Sequence, residues 1–207
     1  MKYAVLILFS FTFGFCNRSR SPKVGSPKNS QDTLIKEVPR DIGTDFFLAK
    51  EAEIKSVVNI DYLQNGLDSL QVRIWYPERK INRIISLKYS SRQWTGYLYT
   101  FEKKYNERTR DYVFDSATST VISPSSGWHN FVERLFGLRI TTLPDMKEIA
   151  GNAGAGADGD TYVIEIATHK RYRLYRYNNP SDNTVYKEVK YMTQIIELLN
   201  KEFNIKE

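Results

Sequence analysis

The sequence predicts an α+β domain, a mostly antiparallel sheet of about six to seven strands with two to three helices packed on it. Three observations carry that prediction. Several stretches rich in Tyr, Ile and Val alternate with a period of two, as half-buried strands do. Residues 125–137 and the C-terminal stretch carry apolar residues at helical spacing instead. The strand patterns fall into two groups, with helical patterns between and after them rather than in βαβ alternation, which favours an antiparallel sheet with helices on one face.

In chain order, TDFFLAKEAEIKS reads as a helix from its Ala, Glu and Lys content, with Thr44 as its cap. VVNIDYLQNGLDSLQVRIWYP places Asn65-Gly66 between two extended runs, the pattern of a tight type I′ hairpin. In the second run Leu70, Val72, Ile74 and Tyr76 alternate with Gln71, Arg73 and Trp75, giving one core face and one mixed face, and Pro77 ends the strand. RIISLKYS and RQWTGYLYTFEKK continue the first strand group, and DYVFD at 111–115 adds a short strand. SSGWHNFVERLFG is the clearest helix of the middle region. Trp128, Phe131, Val132, Leu135 and Phe136 form an apolar stripe, Ser125 or Ser126 can cap it, and Gly137 can end it. DTYVIEIATHKRYRLYRYNNP reads as a second hairpin turning near Thr168, His169 and Lys170. A final helix from about Thr184 to Phe203 buries Val189, Met192, Ile196, Leu199 and Phe203.

The organisation before residue 41 is different. Lys2 precedes an apolar stretch of 12 residues, Ala4 to Phe15, too short to cross a bilayer as a helix but of signal-peptide length. Cys16, the single cysteine, follows directly. It cannot form a disulfide within the chain and precedes a polar segment with no core to enter. Residues 17–40 are rich in Ser, Pro, Lys and Arg and hold no aromatic residue, so a flexible tether is expected there, one whose loss leaves body stability unchanged. The leader, residues 1–16 with Cys16 at its end, resembles those of bacterial lipoproteins, particularly the short leaders of the Bacteroidota. That resemblance implies a lipidated Cys16 and a membrane-anchored chain on the periplasmic side of the cell envelope. Phe15 stands where the lipoprotein pattern has a small residue, and Gly14 with Cys16 also fits an ordinary signal-peptidase site, which would make the protein a secreted one.

The resulting division is leader 1–16, basic tether 17–40 and a single body over 41–207. It redistributes the charge. The chain holds 30 Lys+Arg against 24 Asp+Glu, a net +6, but residues 17–40 alone carry +4 and the body only +1. A basic tether is attracted to anionic headgroups. A nearly neutral body has no field to recruit nucleic acid, so no nucleic-acid partner is expected.

The chemistry-bearing motifs are few. Gly154, Gly156 and Gly159 satisfy G-x-G-x-x-G, but a strand pattern follows rather than a helix, and no Lys-Ser/Thr pair forms a P-loop. Asp158 and Asp160 lack the remaining ligands of an EF-hand loop. His129 and His169 are the only histidines, lack metal-ligand spacing and read as surface residues. No cofactor, metal site or catalytic residue is therefore assigned. The candidate ligand-binding residues are Arg171, Arg173, Tyr175 and Tyr177, which share one face of a strand and can stack on rings and bind anionic groups. In an envelope compartment the partner chemistry is a glycan, a phosphorylated lipid or a protein. The expected role is a non-catalytic binding or accessory module of the envelope. The alternatives are a secreted or periplasmic hydrolase with its site under the Gly-rich loop 151–160, and an inhibitor- or immunity-like module.

Overall fold

The computed structural model describes residues 34–77, 81–151 and 159–205. Cys16, the leader and most of the expected tether lie outside these residues, as do the glycines at 154 and 156.

One seven-stranded sheet organises the chain. Its strands are β1 (Ile35–Glu37), β2 (Leu70–Trp75), β3 (Ile81–Ser90), β4 (Gln93–Asn106), β5 (Asp111–Ile122), β6 (Thr161–Ala167) and β7 (Arg171–Asn178). They lie in the order β1-β7-β6-β2-β3-β4-β5. Every neighbouring pair is antiparallel except β1 and β7. The helices are α1 (Ile42–Val58), α2 (Trp128–Gly137) and α3 (Lys187–Phe203). The α+β class and the sheet-with-helices architecture are as the sequence predicts.

The helices cover both faces, not one. On one face Phe131 and Leu135 of α2 and the buried side of α3 pack on Val72, Ile74, Ile85, Leu87, Ile164, Tyr175 and Tyr177. On the other, Phe47 and Ile54 of α1 pack on Trp75, Ile84, Phe101, Val163 and Leu174. Adjacent apolar pairs show why the centre must be covered twice. Ile84 and Ile85 point to opposite faces and both are fully buried, as are Val163 and Ile164 nearly so. The "mixed" face of β2 is in fact interior, because Gln71 and Arg73 find partners inside the fold.

Four local expectations are corrected. Asn65-Gly66 is not a hairpin, because α1 runs to Val58 and stops at Asn59 in a left-handed C-cap. Leu63–Asn65 then form a single 3-10 turn, closed by the Gly66 N–H on the Leu63 carbonyl, and Leu67 hydrogen-bonds Thr168 beside the β6–β7 turn. The α1 cap is Asp41, whose carboxylate accepts from the Thr44 N–H, while Thr44 itself is buried. Neither Ser125 nor Ser126 caps α2. Instead the Ser126 N–H and Ser125 hydroxyl both donate to the carboxylate of Glu202 on α3. Finally, residues 35–37, expected in the tether, form the edge strand β1, with Ile35, Lys36 and Glu37 opposite Arg171, Tyr172 and Arg173. The sheet therefore includes residues before 41.

Candidate functional site

The four residues singled out on the second hairpin do not form an open surface. Tyr175 and Tyr177 are core residues, exposed by 1% and 0%, under the segment 139–149. The Tyr175 hydroxyl donates to the Ile140 carbonyl at 2.6 Å, and burial pushes both phenols well above their ordinary pKa. Arg173 donates to the Thr141 and Leu143 carbonyls and pairs with Glu37. Arg171 pairs with Glu37 as well, at the sheet edge. These arginines fasten β1 and the 139–149 segment to β7. The alternating pattern gave the faces correctly, but it could not tell that the Arg/Tyr face meets another part of the chain. The two histidines are exposed as expected, with His169 Nδ1 3.1 Å from Asp68.

Beneath α1 lies a cluster of charges that hydropathy did not reveal. The inward stripe of α1 is Thr44, Phe47, Glu51, Ile54 and Lys55, spaced by three and four residues but more than half polar. Glu51 Oε1 lies 2.5 Å from Lys55 Nζ and 3.5 Å from Arg73 Nη1, and its other oxygen accepts from Gln64 at 2.7 Å. Arg73 reaches Glu165 at 3.3 Å and the Asp61 carbonyl at 2.9 Å. Glu165 also accepts from Trp75 Nε1 at 2.6 Å and from the Tyr172 hydroxyl at 2.9 Å. The Lys55 ammonium sits 3.5 Å from the centre of the Tyr62 ring. Two carboxylates and two cations balance within the fold. Burial, with Glu165 nearby, raises the Glu51 pKa, and burial lowers that of Lys55. The charged side chains of Glu51, Lys55, Arg73 and Glu165 are all buried, so they bind α1 to the sheet.

The same face of the sheet opens into a cavity of about 460 Å³ next to that network. Its apolar walls are Phe47, Ile54, Trp75, Phe101 and Val163, with Phe46 exposed at the mouth. Lys50, Arg83 and Arg176 supply its charge, and every charged lining residue among those described is a cation. Arg176 is held by Asp41 at 2.6 Å and Asp145 at 3.5 Å. The hydrogen bond from Arg176, against the opposing effect of burial, keeps the Asp41 carboxyl far below the usual carboxylate range. A Cβ on Gly43 would overlap Arg176 Nη1, so glycine in the first turn of α1 is what lets this guanidinium lie across the helix start. Burial, together with Lys103, pulls the Lys50 amine down to about 8 despite Glu53. Gly159 and Thr161 form one edge, which puts the cavity beside the end of the Gly-rich segment.

The volume and the mixture of aromatic walls with a few directed polar groups are those of small-molecule clefts, roughly 300–1,000 Å³. Among the described residues no group of three or more His, Cys, Asp or Glu is placed to hold a metal ion, and no helix is long and apolar enough to cross a membrane. No protein-family model matches this chain, and no curated protein matches it either.

Proposed function

We propose that this chain is an envelope binding module, tethered to the periplasmic side of a membrane through Cys16, that captures an amphiphilic anion in the cavity under α1. The observation that carries this reading is the lining of that cavity, three cations set among five buried apolar walls. Cationic heads on an apolar pocket favour a ligand carrying a carboxylate or phosphate on an alkyl or aryl body. A tether that places the pocket beside lipid headgroups gives it access to such molecules. Lipidation supplies Cys16 with a role, since a diacylglycerol thioether plus an N-acyl chain anchors where one chain is marginal.

Two experiments test the two halves. Decanoate and neutral 1-decanol are titrated against the protein while Trp75 fluorescence is followed. Binding of decanoate at least about tenfold tighter than decanol, lost in Lys50→Gln and Arg83→Gln, supports the cavity. Equal binding of both probes sinks it. For the anchor, wild type and Cys16→Ser are expressed with labelled palmitate and fractionated. Label and detergent-dependent release are expected in wild type alone, and an unlabelled soluble wild-type chain beginning at Asn17 overturns the tether.

The hydrolase reading has one specific point in its favour. Lys50, at about 8, is close to the range of a lysine that acts as a base or nucleophile, and it lines a cavity that reaches the Gly-rich segment. Turnover of a carbonyl or ester probe that disappears with Lys50→Arg selects that reading over binding alone.

A further inference from the structure

On the opposite face of the sheet, remote from the cavity under α1, an aromatic surface carries a second pattern. Trp94 on β4 and Trp128 at the start of α2 lie near-parallel, their ring centres 6.3 Å apart and their planes 16° apart. Tyr89 continues the group at 5.2 Å from Trp94 and remains 38% exposed, while Phe136 closes its inner side. The indoles are part-buried rather than enclosed. They floor a depression of about 690 Å³, whose other walls are Arg92, Gln93, His129, Val132 and Glu133.

The platform is built, not incidental. Trp128 lies on the backbone of β4, because residue 96 is glycine and a Cβ there would stand 2.9 Å from Trp128 Cη2 and 3.0 Å from Ile122 Cγ1. Phe131 and Phe203 brace the same indole from behind at 6.0 and 6.5 Å. The β3–β4 turn is the two-residue kind, with Ser90 opposite Gln93, and both its central residues, Ser91 and Arg92, are left-handed at φ 51° and 64°. That conformation normally falls to Asn and Gly, so Ser and Arg hold it here at a cost in strain. The turn puts the Arg92 and Gln93 side chains on the rim of the indole floor.

We infer that this depression is a carbohydrate-binding site, one that takes an oligosaccharide of equatorially substituted pyranose rings. Such rings present a flat C–H face that lies on an indole and a girdle of hydroxyls that needs donors and acceptors at the edge. Arg92, Gln93, His129 and Glu133 supply both around the two indoles. The charge balance discriminates among ligands that stack. Arg92 and Glu133 offset each other, whereas a nucleic acid needs a basic groove along its phosphates. An anionic lipid has no cation excess to bind here either. Trp128, packed on Gly96, Phe131 and Phe203, and Trp94, packed on Phe136, lose little freedom on binding.

The test uses cellotetraose and N,N′,N″,N‴-tetraacetylchitotetraose as probes, titrated against the intact protein by calorimetry and by tryptophan fluorescence. Saturable binding of at least one probe is expected. It should weaken at least about tenfold in Trp94→Ala and measurably in Gln93→Ala and Glu133→Gln. Because Gln93 and Glu133 are exposed, those two variants remain folded even if loss of an indole disturbs packing. Decanoate capture in the α1 cavity should be unaffected in all three, so this site stands or falls separately from that one. No binding of either saccharide at about 10 mM probe overturns the inference, as does binding that is unchanged in Gln93→Ala and Glu133→Gln. Preferential binding of an oligothymidylate or of anionic vesicles through Trp94 overturns it in favour of those ligands.

Discussion

Arg73 and Glu165 stand directly opposite each other on β2 and β6, and their side chains meet at 3.3 Å with neither exposed to solvent. The pair sits at the centre of the sheet face that α1 covers, with Glu51 and Lys55 completing a neutral group of four. Desolvating such charges is expensive, and their mutual attraction offsets that cost only while all partners stay in place. Arg73→Met alone should therefore destabilise the protein by about 3–5 kcal/mol, since it leaves two carboxylates buried without their shared cation. Arg73→Met combined with Glu165→Gln should cost less than the two single changes together, with a coupling of about 0.5–3 kcal/mol. Urea unfolding of the four proteins reads this directly. Strict additivity would mean that the two side chains do not depend on each other.

This cluster also explains what the sequence withheld. Alternation in LQVRIW placed Gln71, Arg73 and Trp75 together correctly, and the helical spacing in 44–58 is present. Neither pattern tells that the polar residues of both segments face each other. Each is a polar residue by itself, and only the pairing makes the two faces compatible with burial. The same holds for Arg173 and Tyr175, whose partners are carbonyls of residues 140–143. By contrast, the second hairpin, the α2 stripe and the α3 face are set by apolar periodicity alone, and they stand where that periodicity puts them. The candidate cavity had no local signature, because its lining comes from α1, β2, β3, β4, β6 and β7.

The Lys50 amine gives the cavity a pH signature. Its pKa is lowered to about 8 by burial, with Lys103 adding to that and Glu53 opposing it, while Arg83 and Arg176 face the same space. The amine is cationic below that value and neutral above it. Decanoate is ionised throughout the window from pH 7 to 10, so a change in affinity there reports the protein. Affinity should fall as pH rises through about 8 and level off by pH 10, where the two arginines still hold a charge. Lys50→Arg should remove the fall. A pH-independent affinity in wild type would show that Lys50 does not touch the anion.

Glu202 makes a second, oppositely placed pH test. It is 4% exposed on α3 and joins the α2 start through Ser125, Ser126 and Arg134, the last at 2.8 Å. Burial works to raise its pKa, but the Ser126 N–H, the Ser125 hydroxyl and Arg134 outweigh it and hold the carboxyl below its ordinary value. A lowered carboxylate pKa contributes stability that is complete above the unfolded value and lost as pH falls through the folded one. Glu202→Gln should therefore lower Tm clearly at pH 7, by the equivalent of about 1.5–3 kcal/mol. The gap between wild type and variant should narrow toward pH 3. A gap of constant size across that range would rule out the charged form as the source of the stability.

The edge strand β1 ties residues 35–37 to β7. Ile35 donates its N–H to the Lys170 carbonyl at 2.9 Å, and Glu37 binds both Arg171 and Arg173. Arg173 is only 14% exposed at its side chain and also holds the 139–149 segment, so Glu37 neutralises a cation that the fold needs in place. A chain beginning at residue 41 loses all of this and leaves the β7 edge unpaired. It should unfold several degrees below a chain beginning at residue 34, given that about 1 kcal/mol corresponds to roughly 2–4 °C at this size. Glu37→Gln in the longer chain should reproduce part of that loss, because it removes the charge but keeps the strand. Differential scanning calorimetry of the three proteins separates the contributions. Equal midpoints for the chains starting at 34 and 41 would show that β1 adds nothing to the stability of the sheet.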